Sequence, residues 1–256
     1  MADAIPSTNK TLALNKALEL LQAIGRGHGN VTLTAIAAEL ALPLSTAHRL
    51  AATLEAQGFI LREKRGYYHL GLRLLSLAAE ADFNTILARV SRPFLRELAK
   101  TTRQTVHLGV FEGDMVTYLV KQGGRKVFTQ SGMQLEAYCT GIGKCLLANL
   151  PRAEAEHYLS GGPFIRLTPT TITEPDDLRR ELQIINKRGY AIDDAEMDEN
   201  LKCIALPLHD DKGRVRAALS VTSPFGDYNE SFEKAALAAL KATAAELEAR
   251  LFGASG

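Results

Sequence analysis

Between residues 12 and 24, apolar side chains recur at Leu14, Ala17, Leu18, Leu21 and Ile24, the spacing of a helix with one buried stripe. "GRGHGN" then breaks the chain. It holds several glycines but follows no strand, so it reads as a loop and not as a dinucleotide fingerprint. "TLTAIAAEL" predicts a short helix with Thr34 as its N-cap, and "ALP" predicts a turn, because Pro43 disfavours helix at the residue before it. Ser45 is expected to cap a further helix running to Gln57, with Leu50 and Leu54 inward and Gly58 as its stop. Two short β-like runs, "FILR" and "YYHL", flank the basic tip "EKRG". Three helices and a basic hairpin are the layout of a winged helix-turn-helix. The Ala/Leu run "GLRLLSLAAEADFNTILARV" follows as a linker helix.

Past Pro93 the pattern changes. "TVHLGVFEGDMVTYLVKQ" predicts a β-hairpin turning at "EGD", and "GIGKCLLANL" a helix. "EPDDLRRELQIINKRG" opens with acidic residues and closes on Gly189, as a helix should. "KCIALPLHDDKGRVRAALSVTSP" reads as two strands around "DDKG", and "ESFEKAALAALKATAAELEARLF" as a closing amphipathic helix. The expected fold is α+β: a disordered lead over residues 1–9, a winged helix-turn-helix over 10–71, a linker helix over 72–90, and an antiparallel-sheet sensor domain over 91–256.

Composition narrows the function. At 46% hydrophobic and 23% charged the chain sits with soluble globular proteins, and its longest apolar runs are too short or too interrupted to span a bilayer. No secretory signal opens it, so a cytoplasmic protein is expected. Cys139, Cys145 and Cys203 are widely spaced and odd in number, which argues against a disulfide framework. No CxxC or HExxH occurs, and no metal or cofactor is expected. With a net charge of +1, any DNA binding must come from a local patch.

Such a patch exists. In a helix-turn-helix the second helix enters the major groove with its N-terminal residues against base edges. Here those are Ser45, Thr46, His48 and Arg49, short hydroxyls and longer donors suited to phosphates and bases, while Ala47, Ala51 and Ala52 keep the helix slim. Arg49 is expected at a base, and Ser45 and Thr46 at phosphates. Thr34 on the preceding helix, and Arg62, Lys64, Arg65 and the Tyr67-Tyr68 pair on the wing, complete the DNA-facing set.

In the sensor half, Ser220 and Thr222 alternate with Leu219 and Val221, so both hydroxyls share a face. With Cys203 and Asp193 they can surround a small carboxylate without an arginine, provided Asp193 accepts from a ligand hydroxyl or amide, or is itself protonated. The plainer alternative is a buried Cys203 with Ser220 and Thr222 facing solvent. A cysteine-dependent enzyme finds no local signature. "TGIGKC" fails as a phosphate loop, because Tyr138 stands where its first glycine belongs and Cys145 replaces Ser/Thr.

"LTAIAAELALPLSTAHRLAATLEAQGFI" followed by "YYHLGLRLLSLA" resembles the N-terminal domain of the IclR family of bacterial transcription regulators. "AYCTGIGKCLLA", "TITEPDDLRREL", "KRGYAIDDAE", "KCIALPL" and "ALSVTSP" follow in that family's order. The resemblance covers about residues 12–226. It implies a winged-helix domain, a linker helix and a GAF-like ligand-binding domain, in dimers that often pair into tetramers. It also implies a double-stranded operator, a small organic-acid effector, and RNA polymerase as partner if the protein activates. Effector contacts fall at positions matching Asp193, Cys203, Ser220 and Thr222, with the loop through Leu135, Tyr138, Thr140 and Gly141 as the other wall. Two departures stand out: Glu136-Ala137-Tyr138 replaces a Pro-Leu-His or Pro-Ala-His, and Asn200 replaces a Gly, which predicts a left-handed residue there. The "AYCT" variant resembles members that sense aromatic acids, with an aliphatic acid such as glyoxylate or pyruvate as the alternative.

Overall fold

Helix α1 (Asn9–Gly27) buries Leu20, Ala23 and Ile24 against α2 (Leu33–Glu39) and α3 (Leu44–Ala56). These belong to a computed structural model that describes residues 9–124 and 127–253 in two compact units, Met1–Asp82 and Phe83–Gly256. Of the expected lead, only Asn9 lies within the described residues, and it opens α1. The apolar stripe of α1 is wider than its unit buries: Leu14 and Leu18 are 59% and 48% exposed.

Two caps differ from expectation. The N-cap of α2 is Thr32, whose extended backbone lets its side chain accept from Ala35 N at 3.2 Å; Thr34 lies within the first helical turn and is exposed. Pro43 holds the cap position of α3, with no side-chain cap, and Ser45 is the second residue of the helix. Strands β1 (Ile60–Lys64) and β2 (Tyr67–Leu70) form the wing, turning at Arg65 and Gly66, where φ is 82°. Tyr67 bridges back to Thr32, which ties the wing to the start of α2. Gly71 is required: a Cβ there would lie 2.0 Å from Gly58 O. The expected single linker helix is two helices, α4 (Arg73–Ala79) in the first unit and α5 (Phe83–Thr102) in the second, and α4 buries none of its residues.

The second unit is a six-stranded antiparallel sheet. Its strands are β3 (Thr105–Glu112), β4 (Met115–Gln122), β5 (Gln134–Glu136), β6 (Ala191–Asp194), β7 (Leu201–His209) and β8 (Val215–Pro224), in the order β5-β4-β3-β8-β7-β6. The predicted hairpins are present; Gly113 and Asp114, both at positive φ, make the tight turn between β3 and β4. Helices α6 (Gly141–Leu147), α7 (Arg152–Leu159) and α8 (Pro175–Arg188) interrupt the strands, and α9 (Glu230–Phe252) closes the unit. Neither β5 nor α7 is evident in the sequence pattern. One face of the sheet packs Leu108, Leu206, Leu219 and Val221 against α5 and α9; the other packs Val116, Ala205 and Ala218 against α6 and α8. A fully buried Leu or Ile in these cores stabilises by about 1.5–3 kcal/mol. The whole is α+β, as expected.

Register explains which residues meet. Asp193 pairs with Cys203, Cys203 with Thr222, and Thr222 with Thr105, so the four form one row across four strands. In the next row on the same face, Ala191, Ala205, Ser220, His107 and Lys121 are successive partners. Lys121 reaches this face because β4 bulges at Leu119: Leu108 pairs with Val120, but Gly109 with Tyr118.

Candidate DNA interface and effector pocket

Helix α3 has two unlike faces. Ala47 and Ala51 are fully buried and Leu50 and Leu54 half-buried, so the first two alanines serve the core of their own unit and only Ala52 is exposed. The opposite face carries Ser45, His48 and Arg49, all exposed, at i, i+3 and i+4, with Thr46 half-buried beside them. On the wing Arg62, Lys64 and Arg65 are exposed. The tyrosine pair divides: Tyr68 is a core residue at 7% exposure, while half-buried Tyr67 holds the Lys64 ammonium 4.4 Å above its ring. The result is an exposed set of hydroxyls, imidazole and guanidinium on one helix, and a cationic hairpin, within one small unit.

In the second unit, one cavity on the α6 face of the sheet is lined by Asp193, Cys203, Thr222, Thr140 and Leu135, five of the eight predicted pocket residues. Asp193, Cys203 and Thr222 are its floor by register, and Cys203 Sγ lies 3.2 Å from Thr222 Oγ1. Thr140 caps α6, accepting from Gly143 N at 3.1 Å, and Gly143 must be glycine because a Cβ would meet Ala137 O at 2.2 Å. The open volume is only ≈ 20 Å³, about one water's worth.

Three predicted residues are outside this lining. Tyr138 turns away, donating to Ile165 O at 2.8 Å and stacking on Phe164 at 4.7 Å. Gly141 packs under the helix start, against the floor residues Cys203 and Asp193. Ser220 is buried one row away, with its hydroxyl 3.5 Å from His107 Nδ1, so neither it nor Thr222 faces solvent. The left-handed residue of the nearby turn is Ala195, at φ 58°, and not Asn200.

Sequence reasoning missed His107, Tyr118 and Thr129, which also line the cavity, and residues 127, 128, 197, 198 and 201 around its rim. His107 is 2% exposed; its Nε2 lies 2.8 Å from Thr129 Oγ1, and its ring meets Tyr118 edge-on at 5.0 Å. Burial, with the Lys121 ammonium adding to it, pushes its pKa down to about 3, so the imidazole is neutral. Asp193 is pushed up to about 7, first by burial and then by the Glu196 carboxylate; Lys144 and two backbone N–H groups pull it back only in part. Burial likewise raises the Tyr118 phenol and the Cys203 thiol. Behind Asp193, Lys144 is wholly buried and bonded to Glu196, with Glu181 at 4.0 Å. Threonines 168 and 171 donate to the backbone carbonyls of Ala195 and Glu196 at 2.7 Å and fix that turn. Chemically, the cavity offers hydroxyls, a neutral imidazole, a thiol and a carboxyl group that changes charge near neutral pH.

A helix that presents base-reading side chains, a cationic wing and a separate unit enclosing a polar pocket together define a ligand-controlled transcription regulator. Residues 83–249 match the family described as "Bacterial transcriptional regulator IclR C-terminal", and residues 13–64 match the "IclR helix-turn-helix domain". The chain belongs to the IclR family: it is a DNA-binding transcriptional regulator with a C-terminal effector-binding domain. It is 30% identical to the HTH-type transcriptional regulator KdgR of Escherichia coli K12, over 98% of this chain and 96% of that protein. Among solved structures, it is similar to the Thermotoga maritima IclR (TM-score 0.61, 31% identity, 94% of this chain and 99% of that one). It is also similar to an IclR homolog from Microbacterium hydrocarbonoxydans complexed with 4-hydroxybenzoate (TM-score 0.61, 27% identity, 93% and 98%). These relatives are transcriptional regulators and not enzymes. Among the described residues, no helix is long and apolar enough to cross a membrane.

Proposed function

We propose that this regulator controls a catabolic operon in the cytoplasm, and that its hold on the operator is set by a small organic acid, aromatic in preference to aliphatic, bound in the cavity over Asp193, Cys203 and Thr222. The observation that carries the DNA half is the division of α3, with Ala47 and Ala51 in the core and Ser45, His48 and Arg49 outward. Arg49 reads a base, Ser45 and Thr46 hold phosphates, and Lys64 and Arg65 grip the backbone beside them. Two chains pair, placing two recognition helices about 34 Å or a multiple apart on a palindromic operator. Exposed leucines at 12, 14 and 18 on α1, and at 72, 75 and 77 on or beside α4, supply apolar area for that pairing.

The aromatic preference is supported by the 4-hydroxybenzoate named with the Microbacterium homolog and by the neutral, aromatic-edged pocket around His107 and Tyr118. A thermal-shift panel of aliphatic and aromatic acids tests it. A ligand at 100 times its Kd stabilises by about 2.7 kcal/mol. A shift with 4-hydroxybenzoate that is lost in Cys203→Leu supports the reading. A shift confined to glyoxylate or pyruvate keeps the pocket and removes the aromatic preference.

A further inference from the structure

The two ends of the cavity differ in charge, and this bears on which way round an acid lies, granted the acid-sensing reading above. At the β6 end, Asp193 is backed by Glu196, which is paired with Lys144; Glu181, further out, is paired with Arg188 at 3.2 Å. A ligand carboxylate placed there meets two buried carboxyl groups, Asp193 and Glu196, that already share one ammonium. The β3 end is the reverse. The bulge at Leu119 brings Lys121 onto the same face as His107, its cross-strand partner. Its Nζ donates to the carbonyls of Val127 at 2.7 Å and Thr129 at 2.6 Å. Among the described residues, this cation's hydrogen-bond partners are carbonyl oxygens, and it stands beside a neutral imidazole.

We propose that His107 anchors the effector's carboxylate, with Lys121 behind it, and that Asp193 receives a hydroxyl at the ligand's other end. The Thr129 hydroxyl sits at His107 Nε2, and the anion takes its place, so His107 never loses a partner. Ser220 is the positioning residue: a hydroxyl donating to Nδ1 keeps the neutral ring's single proton on Nε2. The exchange also opens the pocket. An open volume of ≈ 20 Å³ admits no organic acid, and residues 127–129 form a wall outside the sheet, tied down at Thr129 by His107 and Lys121. Length favours a hydroxy acid whose two ends lie far apart, as 4-hydroxybenzoate's do. His107 and Asp193 stand three strand spacings apart, about 14 Å. That is too far for glyoxylate or pyruvate with a bond of ~2.8 Å at each end, and close to the reach of a hydroxy acid as long as a para-substituted ring.

Calorimetric Kd values for benzoate and 4-hydroxybenzoate on the full chain test this. His107→Phe and Lys121→Met should each weaken both acids by the same factor, tenfold or more. Asp193→Asn should erase the preference for 4-hydroxybenzoate over benzoate. Thr129→Val removes the rival hydroxyl at nearly constant volume and should tighten both acids. The opposite assignment, with His107→Phe erasing the preference and Asp193→Asn changing both acids alike, overturns the orientation. If His107→Phe does not fold, unchanged affinities in Lys121→Met and Thr129→Val overturn it as well. Should neither aromatic acid bind the wild type, glyoxylate is run on the same variants, and indifference to Lys121 and Thr129 rejects the anchor. If no acid binds at all, the acid-sensing reading fails and the orientation falls with it.

Discussion

Lys144 on α6 donates to Glu196 in the turn after β6, and the pair is sealed: the two residues are 1% and 3% exposed. They are 52 residues apart in the chain, and each has been taken out of water for the sake of the other. One oxygen of Glu196, Oε2, has no hydrogen-bond partner among the described residues. The pair therefore holds α6 against the turn that carries Asp193, and it is vulnerable to loss of either member.

Removing one partner leaves a buried charge alone, which costs about 3–5 kcal/mol. Lys144→Met should lower unfolding stability by that amount in urea. Lys144→Met combined with Glu196→Gln, which leaves no bare charge, should recover a large part of the loss. A double variant as unstable as the two single losses added together would show that the charges are not coupled.

Asp193 gives a pH dependence of defined sign. Its carboxyl titrates at about 7 when folded and near 3.8 when unfolded, so the native state holds an extra proton between those values. The stability from that proton is full below pH 4 and is lost as pH rises to about 7, a change of roughly 4 kcal/mol. Wild type should therefore lose stability relative to Asp193→Asn over this range and run parallel to it above. His107 acts at the opposite end of the scale: its neutral buried ring favours unfolding as pH drops below 6.5, in both proteins alike.

For the DNA reader, Arg49→Ala should cost ~1–3 kcal/mol of specific binding if Arg49 makes a bidentate base contact. Competition between a fragment upstream of the regulated genes and scrambled DNA measures it. A loss equal on both DNAs would move Arg49 to a phosphate.

Lys64→Ala with Arg65→Ala should weaken binding to every sequence and flatten the salt dependence, by about one unit of slope for each phosphate contact removed. Titrations at several salt concentrations read this directly. An unchanged slope would take the wing tip off the backbone.

Most of the architecture is legible in the chain because short-range rules decide it. Gly113-Asp114 and the Asp210–Gly213 stretch turn hairpins, Asp176 and Asp177 open α8, and Gly189 ends it at φ 80°. The row Asp193–Cys203–Thr222 needed only alternation and family likeness. Cap choice was less decidable: "TLT" offers two threonines, and the extended backbone at Thr32 selects the first. The stripe of α1 was misjudged because a pattern shows which side chains are apolar and not which partner covers them. Tyr138 was misplaced because the cap at Thr140 turns the preceding residues away from the sheet, toward Phe164 and Tyr158. His107, Lys121 and Lys144 were missed because their significance lies in partners from other strands and helices.

The bulge at Leu119 sets which side of β4 each later residue occupies. In an unbroken ladder of the same length through Tyr118, Val120 would stand opposite His107 and Lys121 opposite Val106, facing α5 and α9, without any change of residue type. A strand of equal length that ran without the bulge would therefore offer the pocket an apolar side chain where this chain offers a cation. Aligned with such a strand without a gap, the residues after Leu119 are compared across opposite faces.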